Sequence, residues 1–163
     1  MMEMQIEFLK TFLDLLGEGG KGHVRYKECA RESMGWLDLT SGLKSAAIRY
    51  QDAYENYYRP FFQEHEYVLE NYIVNYLFSI GFPYNTPNIH DQYMIITVFY
   101  ALIKFHLICL SGLNKGLNVE LLIKLIQSFA KRFEHNPSTS KIIDYMKTCE
   151  FVQLSHLMIL IKN

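Results

Sequence analysis

The sequence predicts an all-α fold, a compact single-domain bundle of about seven to eight helices. Apolar residues recur at spacings of three and four in nearly every segment, which is the period of an amphipathic helix. Clusters of glycine, proline and asparagine separate these segments, and no run shows the β-branched alternation of a strand. At 163 residues and 50% hydrophobic, the chain can bury one ordinary core, so residues 1–163 are expected to form a single domain.

The first helix is predicted from MQIEFLKTFLDLL, whose apolar stripe runs from Ile6 to Leu16. The next residues, GEGGKG, satisfy the G-x-G-x-x-G pattern of dinucleotide-binding folds. In those folds a strand precedes the glycines and a helix follows them, so that the helix N-terminus faces the phosphates. Because a helix precedes them here, we interpret residues 17–22 as an interhelical turn. We also expect residues 1–22 to be peripheral to a helical core at 23–163.

The same helical period, with punctuation between segments, predicts the other helices. Pro60 interrupts YENYYRPFF and is expected to kink or restart the helix, because proline lacks the amide hydrogen that would continue it. GFPYNTPN at 81–88 is the clearest loop. SGLNKGLN at 111–118 ends one helix and places Asn118 to cap the next. The helices are expected near residues 3–16, 23–37, 43–58, 61–80, 90–111, 118–134, 138–148 and 152–161.

Charge and cysteine content argue against several functional classes. Lys+Arg 16 against Asp+Glu 17 leave a formal charge of -1, so the chain has no general attraction to nucleic acid or to an anionic membrane. The N-terminal MMEMQIEF has no basic region before an apolar run, so no secretory signal is expected. The three cysteines lie too far apart for a disulfide framework or a C-x-x-C metal knuckle, and they favour a reducing cytoplasm. They are Cys29, Cys109 and Cys149.

One segment, YMIITVFYALIKFHLICL at residues 93–110, is long and apolar enough to approach a bilayer span. Lys104 and His106 lie within it, and a lysine at the centre of a bilayer costs about 2.5–3.5 kcal/mol. We therefore interpret the segment as the buried helix of a soluble bundle and expect no membrane partner.

Polar residues within VLENYIVNYLFSI are candidates for a binding site. This helix is apolar or aromatic almost all round and is expected to be largely buried. Asn71 and Asn75 share one face with Glu70 beside them, and buried polar groups need partners on neighbouring helices. Two interpretations stay open, a structural network that fixes helix register and a polar wall that faces a ligand. The expected partners are Lys104, Arg132, His135 and Asn136.

A metal site is not expected. Glu66 and Glu70 lie one helical turn apart, but di-iron bundles also need an E-x-x-H motif. None of the six histidines has a glutamate three residues before it. A nucleophile and its base are not assigned either, because the spatial proximity of serines, cysteines and histidines is invisible in the sequence.

Two phrases together resemble the C-terminal part of the flagellin lysine N-methylase family. They are YYRPFFQEHEYVLENYIVNYLF, with Phe82-Pro83 after it, and LIQSFAKRFEHN with the terminal LMILIKN. Between them, ALIKFHLICLSGLNKG is similar to the family's connecting helix. The resemblance runs in order from about Tyr26 to Asn163. The matched motif residues are Glu70, Asn71, Tyr72, Asn75, Gln127, Ser128, Glu134, His135 and Asn136.

The resemblance implies a role in methylating lysine side chains of flagellin, or of another protein substrate, with S-adenosylmethionine as the methyl donor. Longer family members begin with a cysteine-rich region thought to hold an iron–sulfur cluster. This chain has no cysteine cluster, so no iron–sulfur cluster is expected, and the chain resembles a truncated copy or a C-terminal fragment. Whether it methylates on its own is left open.

A lysine must be neutral to accept a methyl group, and a desolvated aromatic pocket with a proton acceptor would favour that state. Tyr72 and Tyr76 are candidates for cation–π contact with the lysine. Glu70 and His135 are the candidate catalytic proton acceptors. The candidate substrate- or donor-binding residues are Asn71, Tyr72, Asn75, Tyr76, Lys104, Gln127, Arg132, Glu134 and Asn136.

The alternative hypothesis is a non-catalytic helical interaction module, for example a homo-oligomer. Its basis is the aromatic content, Tyr 12 and Phe 11, which exceeds the obvious need of a small core and would supply a surface contact patch.

Overall fold

The regular structure is helical throughout in the computed structural model of the chain, which describes residues 2–16, 24–85, 88–134 and 139–162. The all-α prediction is confirmed for these residues, which contain no strand. The α-helices are α1 (Met2–Leu16), α2 (Val24–Leu37), α3 (Leu43–Ala53), α4 (Arg59–His65), α5 (Tyr67–Ser79), α6 (Ile89–Asn114), α7 (Val119–Phe133), α8 (Thr139–Thr148) and α9 (Leu154–Ile161). A 3-10 turn, Leu39–Ser41, precedes α3, and a π-helical turn, Tyr54–Tyr58, joins α3 to α4. The glycine-rich residues 17–22, interpreted above as a turn, lie outside the described residues.

The other helices pack around α6. From Met94 to Ser111 its side chains are buried, apart from the partly exposed Ile96 and Tyr100. It contacts α1, α2, α3, the π turn, α5, α7, α8 and α9. Although α6 has the length and hydropathy of a membrane span, 89% of its most apolar stretch is covered by the rest of the chain. An all-round apolar helix therefore forms the core of the bundle, as the sequence indicates.

Side-chain caps begin the two helices that follow the main loops. The Asn88 side chain accepts hydrogen bonds from the backbone N–H groups of His90 at 2.9 Å and of Asp91 at 3.3 Å. Asn118 accepts one from the N–H of Leu121 at 2.8 Å. Each cap satisfies donors that a helix N-terminus leaves without an intrahelical partner, and the cap predicted at Asn118 is confirmed.

The predicted restart at Pro60 is confirmed, because α4 begins at Arg59 with Pro60 in its first turn. The π turn lies directly before it, and α4 ends at His65. A proline ring crowds the carbonyl one turn before it and offers no N–H. The π turn widens the backbone just before Pro60, and such bulges accommodate a local departure from α-helical hydrogen bonding.

The helix α5 lies at the edge of the bundle, which corrects the expectation that it is largely buried. Leu69, Tyr72 and Tyr76 face inward, whereas Phe78 is 81% exposed and Tyr67 is 56% exposed. A surface groove runs along each side of α5, so neighbouring helices cover only one of its faces. Composition alone suggested burial all round, but exposure depends on how many helices pack against α5.

At Gly112 the helices α2 and α6 approach closely. The indole of Trp36, on α2, occupies the space where a Cβ atom on Gly112 would lie. Gly35, the neighbour of Trp36, has no atom within 4 Å of the corresponding Cβ position. These two helical glycines therefore differ in whether a methyl group can be added without moving a neighbour.

We expect Gly112→Ala to lower the free energy of unfolding by about 1–3 kcal/mol, because the added methyl group forces the Trp36 ring out of its packed position. Gly35→Ala is the matched control. It is expected to raise the free energy by about 0.5–1 kcal/mol, because alanine is the better helix former. Urea unfolding followed by circular dichroism measures both values. Equal effects of the two substitutions would contradict the close packing of Trp36 on Gly112.

Candidate functional site

Two surface grooves flank α5 and contain most of the candidate residues that the structure describes. One, the amide groove, lies between α5 and α7 and has a volume of about 530 Å³. The other, the aromatic groove, is bounded by the π turn, α4, α5 and α6 and has a volume of about 620 Å³. The amide groove is lined by Val68, Asn71, Tyr72, Asn75, Tyr76, Ser79, Ile123, Ile126, Gln127, Ala130 and Glu134.

Helical spacing explains how separate motifs meet in the amide groove. On α5, the residues Asn71 and Asn75 are one turn apart, and Tyr72 and Tyr76 follow them on the adjoining strip of the same face. Gln127 on α7 and Glu134 just after it line the opposite wall. Six candidate residues from two distant sequence motifs therefore share one concave surface.

Tyr72 supplies the groove with a hydroxyl group that lacks a partner. The side chain is 8% exposed, and its hydroxyl forms no hydrogen bond within the described part of the chain. Burial raises the pKa of Tyr72, and the nearby Glu134 carboxylate raises this pKa further. Glu134 thus lies close enough to act by its charge, although the two groups do not meet hydrogen-bond geometry. The result is a neutral hydroxyl that can donate to a ligand.

Tyr76 is fixed more firmly than Tyr72. Its hydroxyl accepts a hydrogen bond from Nε2 of Gln92, on α6, at 3.2 Å. Burial raises the pKa of Tyr76, and the Gln92 bond partly opposes that effect. The two tyrosines therefore differ. The Tyr76 hydroxyl connects α5 to α6 through Gln92, whereas the Tyr72 hydroxyl has no hydrogen bond.

A smaller basic cleft of about 280 Å³ adjoins the amide groove. Gln127 lines both, and the other residues of the cleft are Arg25, Ser128, Lys124 and Lys131. One of these cations is already engaged, because Lys124 lies 3.8 Å from a carboxylate oxygen of Glu28. The cleft places positive charge beside the neutral amides, where an anionic end of a ligand would be attracted.

Glu70 and Lys104 lie in the aromatic groove, not in the amide groove. Lys104 donates a hydrogen bond to the backbone carbonyl of Ile161 at 2.8 Å, and its Nζ lies 5.6 Å from the centroid of the Tyr54 ring. Lys104 is therefore not the partner of Asn71 or Asn75 that the sequence suggested. Burial lowers the pKa of Lys104 to about 8.

Arg132 lines neither groove. It is 6% exposed, and its guanidinium carbon lies 5.1 Å from the Phe133 ring centroid, on the inner side of α7. Its positive charge lowers the pKa of buried Tyr26, although the larger effect of burial raises this pKa. Arg132 therefore acts within the core between α7 and α2. The candidates His135 and Asn136 lie outside the described residues.

The sequence analysis missed two features. Tyr54, Tyr58 and Phe62 line the aromatic groove with Tyr100 and Glu66. Their spacing of four residues was visible, but it is equally typical of an ordinary core stripe.

The second missed feature is a buried polar pair in the core, where Tyr26 Oη and His106 Nε2 lie 3.1 Å apart. Burial lowers the pKa of His106 to about 3, so this imidazole is neutral at physiological pH. Because the pair lies away from both grooves, it is a structural link between α2 and α6. Among the described residues, no group of three or more metal-ligating side chains comes together.

Residues 1–160 match the family described as the FliB lysine N-methylase C-terminal domain. The chain belongs to this family. The match confirms the resemblance drawn from the ENY and EHN motifs and extends it to α1, which lay outside the resemblance. Neither a curated protein nor a solved structure matches the chain. The family links the FliB C-terminal helices described here to lysine N-methylation.

In this FliB C-terminal domain, we expect Lys104→Met to have a higher free energy of unfolding than the native chain at pH 7. This difference between the variant and the native chain should become smaller as the pH rises. With its pKa lowered to about 8 in the folded state, Lys104 imposes the full cost of a buried charge below pH 8. That cost fades between about pH 8 and 10.5, where only the unfolded chain keeps the proton.

Urea unfolding at pH 7 and pH 9.5 measures the change. The advantage of Lys104→Met over the native chain should shrink by about 1–2 kcal/mol across this interval. Lys44→Met is the control, because Lys44 is exposed on α3. A difference between Lys104→Met and the native chain that is constant with pH would contradict the lowered pKa.

Proposed function

We propose that this chain supplies ligand-binding surface to a flagellin lysine N-methylase, and that the amide groove binds the methyl donor S-adenosylmethionine. Family membership supports the reaction class. The observation that supports the groove is the convergence of three side-chain amides, the Glu134 carboxylate and the unpartnered Tyr72 hydroxyl on one concave surface. The amides belong to Asn71, Asn75 and Gln127.

The chemistry of these residues suits an adenosyl ligand. An amide both donates and accepts hydrogen bonds, as the edge of an adenine ring requires. Val68 and Ile126 add apolar surface for the ring faces. A volume of about 530 Å³ falls within the range of small-molecule sites. The basic cleft beside Gln127 would receive the carboxylate of the donor's methionine part.

Bound S-adenosylmethionine supplies an electrophilic methyl group on a positively charged sulfur. The Glu134 carboxylate would attract that charge, and the Tyr72 and Tyr76 rings would shield the site from water. Glu70 cannot remove the proton from a lysine that meets a donor in the amide groove, because it lies in the other groove. Glu134 therefore replaces Glu70 as the proposed proton acceptor at this position, while His135 stays a candidate.

The double substitution Asn75→Ala with Gln127→Ala is expected to weaken S-adenosylmethionine binding about 10- to 100-fold. Each lost hydrogen bond contributes about 0.5–1.5 kcal/mol to a complex of this kind. Isothermal titration calorimetry of the chain measures the affinity, with a thermal-shift assay for the case of a small enthalpy. Gln153→Ala is the control, since Gln153 is exposed and its side chain forms no cap bond. Absence of donor binding in both assays would contradict the donor site.

A protein-interaction role is the second candidate, and the outer face of α5 favours it. Phe78 is 81% exposed, and Tyr84, in the following loop, is 94% exposed. Large exposed aromatic side chains are typical anchors of protein interfaces. In this interpretation Phe78 and Tyr84 contact a second copy of the chain or another protein.

If the chain forms homo-oligomers through this face, Phe78→Ser should weaken self-association at least about tenfold, because it removes a large apolar anchor. Light scattering over a range of concentrations measures the mass. Val24→Ser is the control, since Val24 is also well exposed, at 71%, but lies on α2. A monomeric mass at every concentration would rule out the oligomer.

A further inference from the structure

The basic cleft beside the amide groove has a local excess of positive charge. Among the described residues, its walls are formed by Arg25 on α2 and by Lys124, Gln127, Ser128 and Lys131 on α7. Three of these residues are cations, and none of them is an acid. The chain as a whole has a formal charge of -1, so this concentration of cations does not follow from its composition.

Helical spacing brings the α7 side chains of the cleft together. Lys124, Ser128 and Lys131 are four and three residues apart, so they lie along one side of α7. The Ser128 hydroxyl donates to the carbonyl of Leu125 at 2.9 Å and is satisfied within the helix. The other side chains of the cleft, including the Gln127 amide, all carry N–H donors. Charged N–H donors that converge in this way are typical of a site for an oxyanion.

The cations of the cleft are only partly balanced by acidic side chains of the chain itself. Lys124 lies 3.8 Å from a carboxylate oxygen of Glu28, and both side chains are well exposed. Such an exposed pair contributes little to stability. Arg25 and Lys131 form no ion pair within the described part of the chain. Their positive charge is therefore available to a ligand.

The position of Arg25 is not explained by the stability of α2. Arg25 lies in the first turn of this helix, which contains no acidic residue. The N-terminal end of a helix carries partial positive charge, so acidic side chains stabilise it and cations do not. Lys131, in the last turn of α7, is at an end where a cation is favourable. The end of α2 thus adds to the positive potential around Arg25.

The proposed donor would not neutralise this cleft. Its methionine part carries an ammonium group as well as a carboxylate, so it brings no net negative charge. It would reach the cleft past Gln127, which lines both the amide groove and the cleft. Arg25 belongs to α2, which contributes none of the described residues of the amide groove. Arg25 would therefore remain available to a second anion.

We propose that the basic cleft binds a carboxylate side chain of the protein substrate, and that Arg25 and Lys131 thereby select lysines with an aspartate or glutamate nearby. The class of partner rests on the proposed lysine methylase function, whereas the cleft itself does not depend on where the donor binds. The planar guanidinium of an arginine matches both oxygens of a carboxylate. Because the cleft adjoins the amide groove, an acidic residue bound in it would hold a neighbouring lysine beside that groove.

Two peptides test this proposal, acetyl-Asp-Gly-Lys-Gly-Asp-amide and its matched form with asparagine in place of both aspartates. NMR titration of the isotope-labelled chain reports both the affinity and the residues that respond. We expect the aspartate peptide to bind about 3- to 10-fold more tightly, with shifts at Arg25, Gln127 and Lys131. This preference should shrink as the salt concentration is raised from about 0.05 M to 0.5 M, because salt screens exposed charges.

Variants locate the charge recognition within the cleft. Arg25→Gln and Lys131→Gln each remove one charge and should weaken binding of the aspartate peptide about two- to fivefold, without affecting the asparagine peptide. Lys141→Gln is the matched control, because Lys141 is exposed on α8 and lies outside the cleft. It should leave the binding of both peptides unchanged.

A second titration, with S-adenosylmethionine present, separates this inference from the donor site. The aspartate peptide should still bind, because the donor leaves part of the cleft open. If the native chain does not bind S-adenosylmethionine, the donor site is wrong, and the titration without donor still tests the cleft.

Three results would overturn the proposal. Equal affinity of the two peptides would show that the carboxylate is not recognised. An unchanged preference for aspartate in both cleft variants would place the carboxylate elsewhere on the chain. Complete displacement of the peptide by S-adenosylmethionine would show that the cleft serves the donor's carboxylate alone.

Discussion

The burial of α6 is the constraint on which the rest of the structure depends. Because its side chains are apolar almost all round, its neighbours must cover every face of it. The two basic residues in its buried stretch, Lys104 and His106, are accommodated individually. Lys104 reaches the carbonyl of Ile161 on α9, and His106 pairs with Tyr26 on α2. The burial of α6 therefore also fixes where α2 and α9 pack.

The grooves lie where this covering layer is thinnest. α5 contributes only three buried side chains to the core and leaves Phe78 in solvent. The exposed side of α5 mixes polar residues with the large side chains of Tyr67 and Phe78. The Tyr72 hydroxyl is buried without a hydrogen-bond partner, which lowers the stability of the folded chain. A ligand that forms a hydrogen bond with this hydroxyl would remove that cost.

Features that depend on residues close together in the sequence were predictable, whereas features that depend on how helices pack were not. Helix positions and the cap at Asn118 depend on residues within a few positions of one another, and they were predictable. The shared face of Asn71 and Asn75 is likewise local. The pairing of that face with Gln127 depends on how α5 and α7 pack, which no local pattern encodes. The helix restart at Pro60 is also local and was predicted, whereas the π turn before it was not.

The position of α5 also constrains where the chemistry can occur. In the sequence Glu70 adjoins Asn71, and it was therefore predicted to be the proton acceptor. In three dimensions that adjacency places the two side chains on different faces, because consecutive helical residues point about 100° apart. A proton must leave the lysine where the methyl group arrives. If the donor occupies the amide groove, the carboxylate at that place is Glu134, at the end of α7.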